Sequence, residues 1–459
     1  MEKKKKPSEI GNGKFSAEPS KYFFIDMLTR DIPLEWAILD LIDNSVDGAR
    51  NEIITKKKDF RNHGAYNGFY IHLTLNEEEF SIEDNCGGFT KKAAMEYTFK
   101  FGRPKGENEF PKGSVGRFGV GMKRGMFKIG TYFIVETKNA KDHFIVEEDI
   151  IKWSAQKGKW EFDFTDVKHG AKYGKHKPLL KRDGTVIKVL QLREMVKQDF
   201  ENQHFKKKLI DEIQRTLNYG IKNGLEIKVN KINLVANPIK ILTSKELVPY
   251  YLEERIGDVT IKIYAGIGDP DPNEAGWYIF CNDRLMVEKD KTNLTGWEGI
   301  GLEKLGGDIG VQKFHNKVAM FRGLVFFSAD KSSSLPMTTT KIGVDINSSI
   351  YKTTRNKMIN AMKKVISFLN TLENDEQRQE IVKKSNMVDI VTFDHKKLSP
   401  VFIFPQVKKK KANSDMTKVS YQVKKKIFSA VKKEMQASTN EQVGIETFDY
   451  YVKMKEIQQ

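Results

Sequence analysis

Leu34-Glu35-Trp36-Ala37-Ile38-Leu39-Asp40-Leu41-Ile42-Asp43-Asn44-Ser45-Val46-Asp47-Gly48-Ala49 is the stretch whose reading decides this chain. At helical spacing, Leu34, Ala37, Ile38, Leu41, Ile42 and Ser45 form one stripe, and Asp40, Asp43, Asn44 and Asp47 form a second. The three carboxylates, at i, i+3 and i+7, repel one another and weaken an isolated helix. Two readings account for the grouping. The acidic stripe faces a cation or polar ligand, or it is a solvated surface.

Pro33 suits the first turn of this helix, and residues 22–28 before it are apolar enough to pack. After a polar loop at 56–68, residues 69–75 and 80–83 read as strands, the second running into Asp84-Asn85-Cys86-Gly87-Gly88-Phe89-Thr90. A carboxylate at a strand end beside paired glycines can accept a hydrogen bond from a planar amine held close to the backbone. Residues 97–114 are rich in Gly and Pro and read as a flexible lid. Gly116, Gly119 and Gly121 then precede a helical pattern, a loop able to aim backbone N–H groups and a helix N-terminus at phosphate oxygens. The spacing is GxxGxG; it is not GxGxxG, and GxxxxGK[ST] occurs nowhere, which excludes the Rossmann and P-loop readings. Strands predicted at 132–137, 143–147, 160–165 and 185–190 complete a mixed or antiparallel sheet.

These motifs, in this order, resemble the GHKL ATPases, a family that includes gyrase-type topoisomerase subunits, MutL, heat-shock-ninety chaperones, sensor histidine kinases and MORC proteins. The helix from Leu34 is similar to the family's N-box, residues 84–90 to its adenine-site motif, residues 116–121 to its phosphate loop, and Asp183-Gly184-Thr185 to its late Gly-Thr. The resemblance implies ATP and Mg²⁺ as cofactors. It places Asn44 on Mg²⁺ with Asp47 in support, Asp84 on the adenine amine with Gly88 allowing close approach, Thr185 beside Asp84, and Gly116, Gly119 and Gly121 around the phosphates. Asp40 stands where hydrolytic members carry the glutamate that activates water. Aspartate is one methylene shorter, so the resemblance implies slow hydrolysis or none. Cys86 is a second departure, at a position where many members carry glycine.

Farther along, residues 198–221 are helical in pattern, 225–229 and 232–235 read as a hairpin, and strands are predicted at 259–265, 276–281 and 321–327. The resemblance implies a transducer-like domain here, with Lys341 in Leu335-Pro336-Met337-Thr338-Thr339-Thr340-Lys341 as a catalytic lysine that senses the γ-phosphate; an ordinary loop lysine is the other reading. A helix over 351–372 carries Met358, Ala361, Met362, Val365 and Leu369, an apolar set for the domain or for a second subunit. Residues 419–423 alternate like a strand, 425–435 are helical, and Ser438-Thr439-Asn440-Glu441 is a capping box for another helix, an order that resembles a ribbon-helix-helix unit for DNA contact or for dimerisation.

The expected class is α+β: a basic flexible tail at 1–20, a GHKL (Bergerat) α/β sandwich at 21–192, a transducer-like α/β domain at 193–384, a linker at 385–415 and the small unit at 416–459. A net charge of +17 favours a polyanionic partner such as DNA. Two distant cysteines, Cys86 and Cys281, argue against a disulfide framework or structural zinc. With no membrane-length apolar run or signal core, the cytoplasm is the expected location, with a homodimer formed on ATP binding, a protein partner, or a heat-shock-ninety-like chaperone role as further expectations.

Overall fold

The computed structural model describes residues 19–60, 62–102, 113–114, 116, 119–156, 158, 160–167, 177–297, 313–338, 341, 343–389, 398–406, 419–420 and 422–457. The expected tail up to residue 18, the lid at 103–112 and the lysines at 408–411 lie outside the described residues. The chain divides into two units, 1–405 and 406–459.

The first unit opens with α1 (Lys21–Arg30) and α2 (Leu34–Thr55). β1 (Tyr70–Leu75), β2 (Glu79–Asp84), α3 (Lys91–Ala93), a π-helical turn (Ala94–Thr98) and α4 (Gly121–Ile129) come next. β3 (Gly130–Lys138), β4 (His143–Asp149), α5 (Ile150–Ala155), β5 (Phe164–Asp166) and β6 (Gly184–Leu192) follow. The predicted helix over 198–221 is three pieces, α6 (Glu194–Glu201), α7 (Gln203–Thr216) and α8 (Asn218–Lys222). The break after α6 has a local cause: Asn202 is extended and its side chain caps α7 by accepting from the His204 N–H. β7 (Glu226–Val229) and β8 (Ile232–Asn233) end this part.

All eight strands form one sheet in the order β5-β4-β3-β6-β2-β1-β7-β8, antiparallel throughout except for the β1–β7 pair. The sheet thus continues past residue 192 into β7 and β8. Asn230 makes the β7–β8 turn at φ 53°, and its Oδ1 accepts from the Leu75 N–H, pinning the added hairpin to β1. Beneath the sheet, Ile38, Leu41 and Ile42 of α2 pack with Met126 and Phe127 of α4 and Ile71, Phe80 and Val189 of the strands. The two helices lie close because Gly125 has no side chain: a Cβ there would stand 2.8 Å from the Ala37 carbonyl oxygen.

A second sheet runs β10-β11-β14-β12-β13, from β10 (Tyr250–Ile256), β11 (Val259–Ile267), β12 (Gly276–Cys281), β13 (Arg284–Asp290) and β14 (Phe321–Ser328). α9 (Ser349–Leu369) packs on β11 and β14. The predicted apolar set from Met358 to Leu369 is buried there, so this face is covered within the chain. α10 (Asp375–Lys383) follows. Within the span read as a linker, β15 (Asn386–Asp389) pairs with β9 (Lys240–Thr243), and Phe402 and Phe404 pack on Phe368.

The second unit holds α11 (Lys425–Glu434) and α12 (Asn440–Met454). Thr439 caps α12, accepting from the Gln442 N–H at 3.1 Å, as the capping-box reading anticipates in kind. Val419, Ser420, Gln422 and Val423 belong to no strand, which corrects the strand predicted over 419–423 for the described residues, Tyr421 lying outside them: the alternation is present, but no described strand pairs with it. No helix among the described residues is long and apolar enough to cross a membrane.

Candidate functional site: a nucleotide-sized cavity on helix α2

The acidic stripe of α2 is not solvated. Asp40 is 1% exposed, Asp43 2% and Asp47 9%, so the solvated reading of this stripe falls. Burial of three carboxylates requires partners, and the structure supplies them from elsewhere in the chain. Asp43 Oδ1 accepts from Arg284 Nε at 2.9 Å and Oδ2 from Lys341 Nζ at 2.8 Å. Asp40 pairs with Arg124 of α4 through Oδ2 and lies 3.1 Å from Lys341 Nζ through Oδ1. Asp47 Oδ2 accepts from the Gly116 N–H at 2.8 Å. Burial alone would push the Asp43 carboxyl up, but Arg284 and Lys341 outweigh it and hold the group below its ordinary range. Burial likewise works against the Lys341 ammonium, and Asp43 and Asp40 reverse the effect.

Beside this helix lies a cavity of about 720 Å³. Its lining gathers Asn44, Asp47, Asp84, Gly88, Gly116, Gly119, Gly121, Thr185 and Lys341, residues spread over 298 positions of sequence. Asp40 stands just behind the wall: a Cβ on Gly121 would touch its carboxylate carbon at 3.3 Å.

One end of the cavity is built on β2 and β6. Their antiparallel register sets Asp84 opposite Thr185. Asp84 Oδ1 accepts from the N–H groups of Cys86 (2.9 Å) and Thr185 (3.2 Å), and Oδ2 from Ser45 Oγ (2.6 Å). Thr185 therefore supports Asp84 through its backbone, and Ser45 supplies the hydroxyl. The sequence reading placed Ser45 on the apolar stripe, since nothing local to α2 reveals a strand end 39 residues away. Burial outweighs these hydrogen bonds and the Asp84 carboxyl is pushed up to about 6. Gly88 has φ +61°, and a Cβ on it would lie 2.2 Å from the Lys138 carbonyl oxygen, so no other residue fits.

The opposite end is cationic. The N-cap of α4, Val120, makes no side-chain capping bond, so among the described residues nothing takes up the first N–H groups of this helix. Lys123 reaches from α4 to the carbonyls of Thr98 (2.7 Å) and Gly119, and Lys123, Arg124 and Lys341 all line the cavity. Lys123 and Arg124 were not singled out in the sequence; their position just inside a helix that follows a glycine loop was the available signal. Between the two ends, Asn44 donates Nδ2 to the Asp40 carbonyl at 2.8 Å, which leaves its Oδ1 as the atom for a cation. A single amide oxygen suits Mg²⁺, which keeps water and phosphate oxygens as its other ligands; no cluster of three or more His, Cys, Asp or Glu that could hold a metal occurs among the described residues.

A carboxyl titrating near 6 gives the site a pH signature. In the adenine-amine role that the resemblance implies, Asp84 must be ionised to accept fully, so nucleotide affinity is expected to fall as pH drops through 6, by about tenfold between pH 7 and pH 5. Titration calorimetry with ADP across that range checks this; a flat profile would remove Asp84 from contact with the base.

Residues 32–171 match the family model described as histidine kinase-, DNA gyrase B-, and HSP90-like ATPase. No curated protein matches the chain. The matched span contains α2, the Asp84 motif and the glycine loop, so the chain carries a GHKL-type ATPase domain at residues 32–171, followed by a further α/β region and C-terminal helices.

Proposed function

We propose that the chain binds ATP with Mg²⁺ in this cavity and hydrolyses it slowly, using the nucleotide state to set the relation of the ATPase domain to a transducer-like region. One observation carries the reading: a single cavity brings a buried carboxylate, Asp84, together with a glycine loop, the N-terminus of α4 and Lys341. In this reading Asp84 accepts from the adenine amine, with Gly88 giving room and Ser45 and Thr185 orienting the carboxylate. Gly116, Gly119 and Gly121 wrap the phosphates, and Asp47 holds the loop through the Gly116 N–H. Asn44 Oδ1 would hold Mg²⁺, which neutralises phosphate charge when bound. Asp40 takes a proton from water attacking the γ-phosphorus as the bond to the ADP oxygen breaks, giving ADP and phosphate.

Asp40 gives specific support to a second reading, a nucleotide-gated switch with negligible turnover. Its carboxylate faces two cations, Arg124 and Lys341, and each takes up lone pairs that a base would need. Single-turnover hydrolysis by wild type beside Asp40→Asn separates the two. The expected result is nucleotide affinity within a few-fold of wild type and a rate lower by about 100-fold or more. Equal rates would take Asp40 out of the chemistry, and binding without turnover by the wild type would establish the switch.

The net charge of +17 supports DNA or a DNA-bound partner as the clamp's target, in the manner of MORC or MutL proteins. The α11–α12 pair, with Lys424, Lys425 and Lys426 at its start and α12 capped by Thr439, supports a dimerising or DNA-contacting role for the second unit.

A further inference from the structure

The turn between β12 and β13 and the first residue of β13 carry two buried side chains, Asn282 and Arg284, that bond to α2, to the chain ahead of the glycine loop and to Lys341, besides an Arg284 Nη1 contact to Met286 Sδ within β13. Asn282 is 2% exposed at φ +46°. Its Nδ2 donates to the carbonyls of Ser114 (3.2 Å) and Ala329 (3.1 Å), and its own carbonyl accepts from Arg50 Nη2 (2.9 Å). Arg50 also donates to the Gly113 carbonyl at 3.0 Å, so the turn grips the chain just ahead of the glycine loop. Two residues on, Arg284 is 1% exposed and donates Nε to Asp43 and Nη1 to the Lys341 carbonyl at 3.0 Å. Asp43 and Arg50 are seven residues apart on α2 and lie on one face, so a single turn of the second sheet bears on both.

Lys341 depends on this grip. Its φ of +57° lies in the left-handed region, which a lysine keeps only where its surroundings hold it. Those surroundings are Arg284 on its carbonyl, the Thr338 carbonyl on its N–H at 3.1 Å, and Asp43 and Asp40 on its Nζ. A guanidinium can bridge a carboxylate and a carbonyl with separate N–H groups in fixed geometry, which an ammonium does poorly. Arg284 Nη2 is buried here without a hydrogen-bond partner, while Asp40 Oδ1 has only its ion pair with Lys341 Nζ at 3.1 Å.

We propose that Arg284 is a positioning residue for the ATP reaction. By fastening Asp43 to the Lys341 backbone, it keeps the ammonium at the phosphate end of the cavity and makes the β12–β13 turn the part of the second sheet that registers the γ-phosphate. This rests on the ATP reading above. ADP lacks the γ-phosphate, so the ratio of ATP to ADP affinity isolates the contact, whereas general loss of structure weakens both nucleotides together. Calorimetry with Mg²⁺ on wild type, Arg284→Met and Arg284→Met/Asp43→Asn is expected to show that ratio falling at least about tenfold in both variants, with ADP affinity within about threefold. Arg284→Lys should recover only part of the loss. The double variant removes the whole ion pair and strands no buried charge, so it decides the matter if Arg284→Met is too unstable to purify. A double variant with the wild-type ratio, or a wild type that does not distinguish the two nucleotides, overturns this inference and leaves the ATP site standing. Wild-type protein that takes up neither nucleotide overturns both.

Discussion

Asp84→Asn is expected to abolish nucleotide binding, with at least about a 100-fold loss of affinity for ADP and ATP alike, while the nucleotide-free protein becomes no less stable. Asp84 lines the cavity, and its ionised carboxylate has only acceptors to offer. Asparagine can keep Oδ1 on the Cys86 and Thr185 N–H groups. Its NH₂ then occupies the position of Oδ2, so on the proposed reading a donor meets the adenine amine, another donor, beside a side chain only 5% exposed.

The stability half of the result follows from the sign of the pKa shift. The folded carboxyl titrates at about 6, above its ordinary 3.8, because burial disfavours the charge. The group thus contributes stability below the unfolded value, and this is lost as pH rises through 6. At pH 7 the ionised side chain costs the fold about 3 kcal/mol. The amide carries no such cost, so Asp84→Asn should melt at or above the wild-type temperature at pH 7 and lose that advantage below about pH 4. A variant that binds ADP normally would show that the base sits elsewhere.

Lys341→Met is expected to separate turnover from binding. The single-turnover rate should fall by about 10²–10³, the scale for removing one preorganised charge from a developing phosphate transition state, while ADP affinity stays within about threefold. The fold should survive, since Asp43 keeps Arg284 and Asp40 keeps Arg124, and neither carboxylate is left alone. Rapid quench measures the rate. An unchanged rate would reduce the lysine to a brace between the two regions, and a faster one would mean that it restrains Asp40.

Much of this was legible in the residues. The α2 pattern, the strand that ends in Asp84, the glycine loop and the α9 face were all readable because each is written at local spacing, period 3.6 or 2, within one element. Two readings remained open in the sequence, the acidic stripe of α2 and the nature of Lys341, and both turned on partners that no local pattern records. The strand predicted over 419–423 shows the converse: alternation states a capacity to pair, and pairing needs a neighbour.

By itself the sequence determined the local elements of the cavity, the α2 helix, the strand that ends in Asp84 and the helix start after the glycines, since each owes its form to its immediate neighbours. Only the tertiary structure decided that α2's carboxylates are buried and answered by Arg124, Arg284 and Lys341, which lie 84, 241 and 298 residues from their partners. The physical reason is that a buried charge is stable only where an opposite charge has been carried to it, and the carrier here is the packing of α4 and the β12–β13 turn against α2.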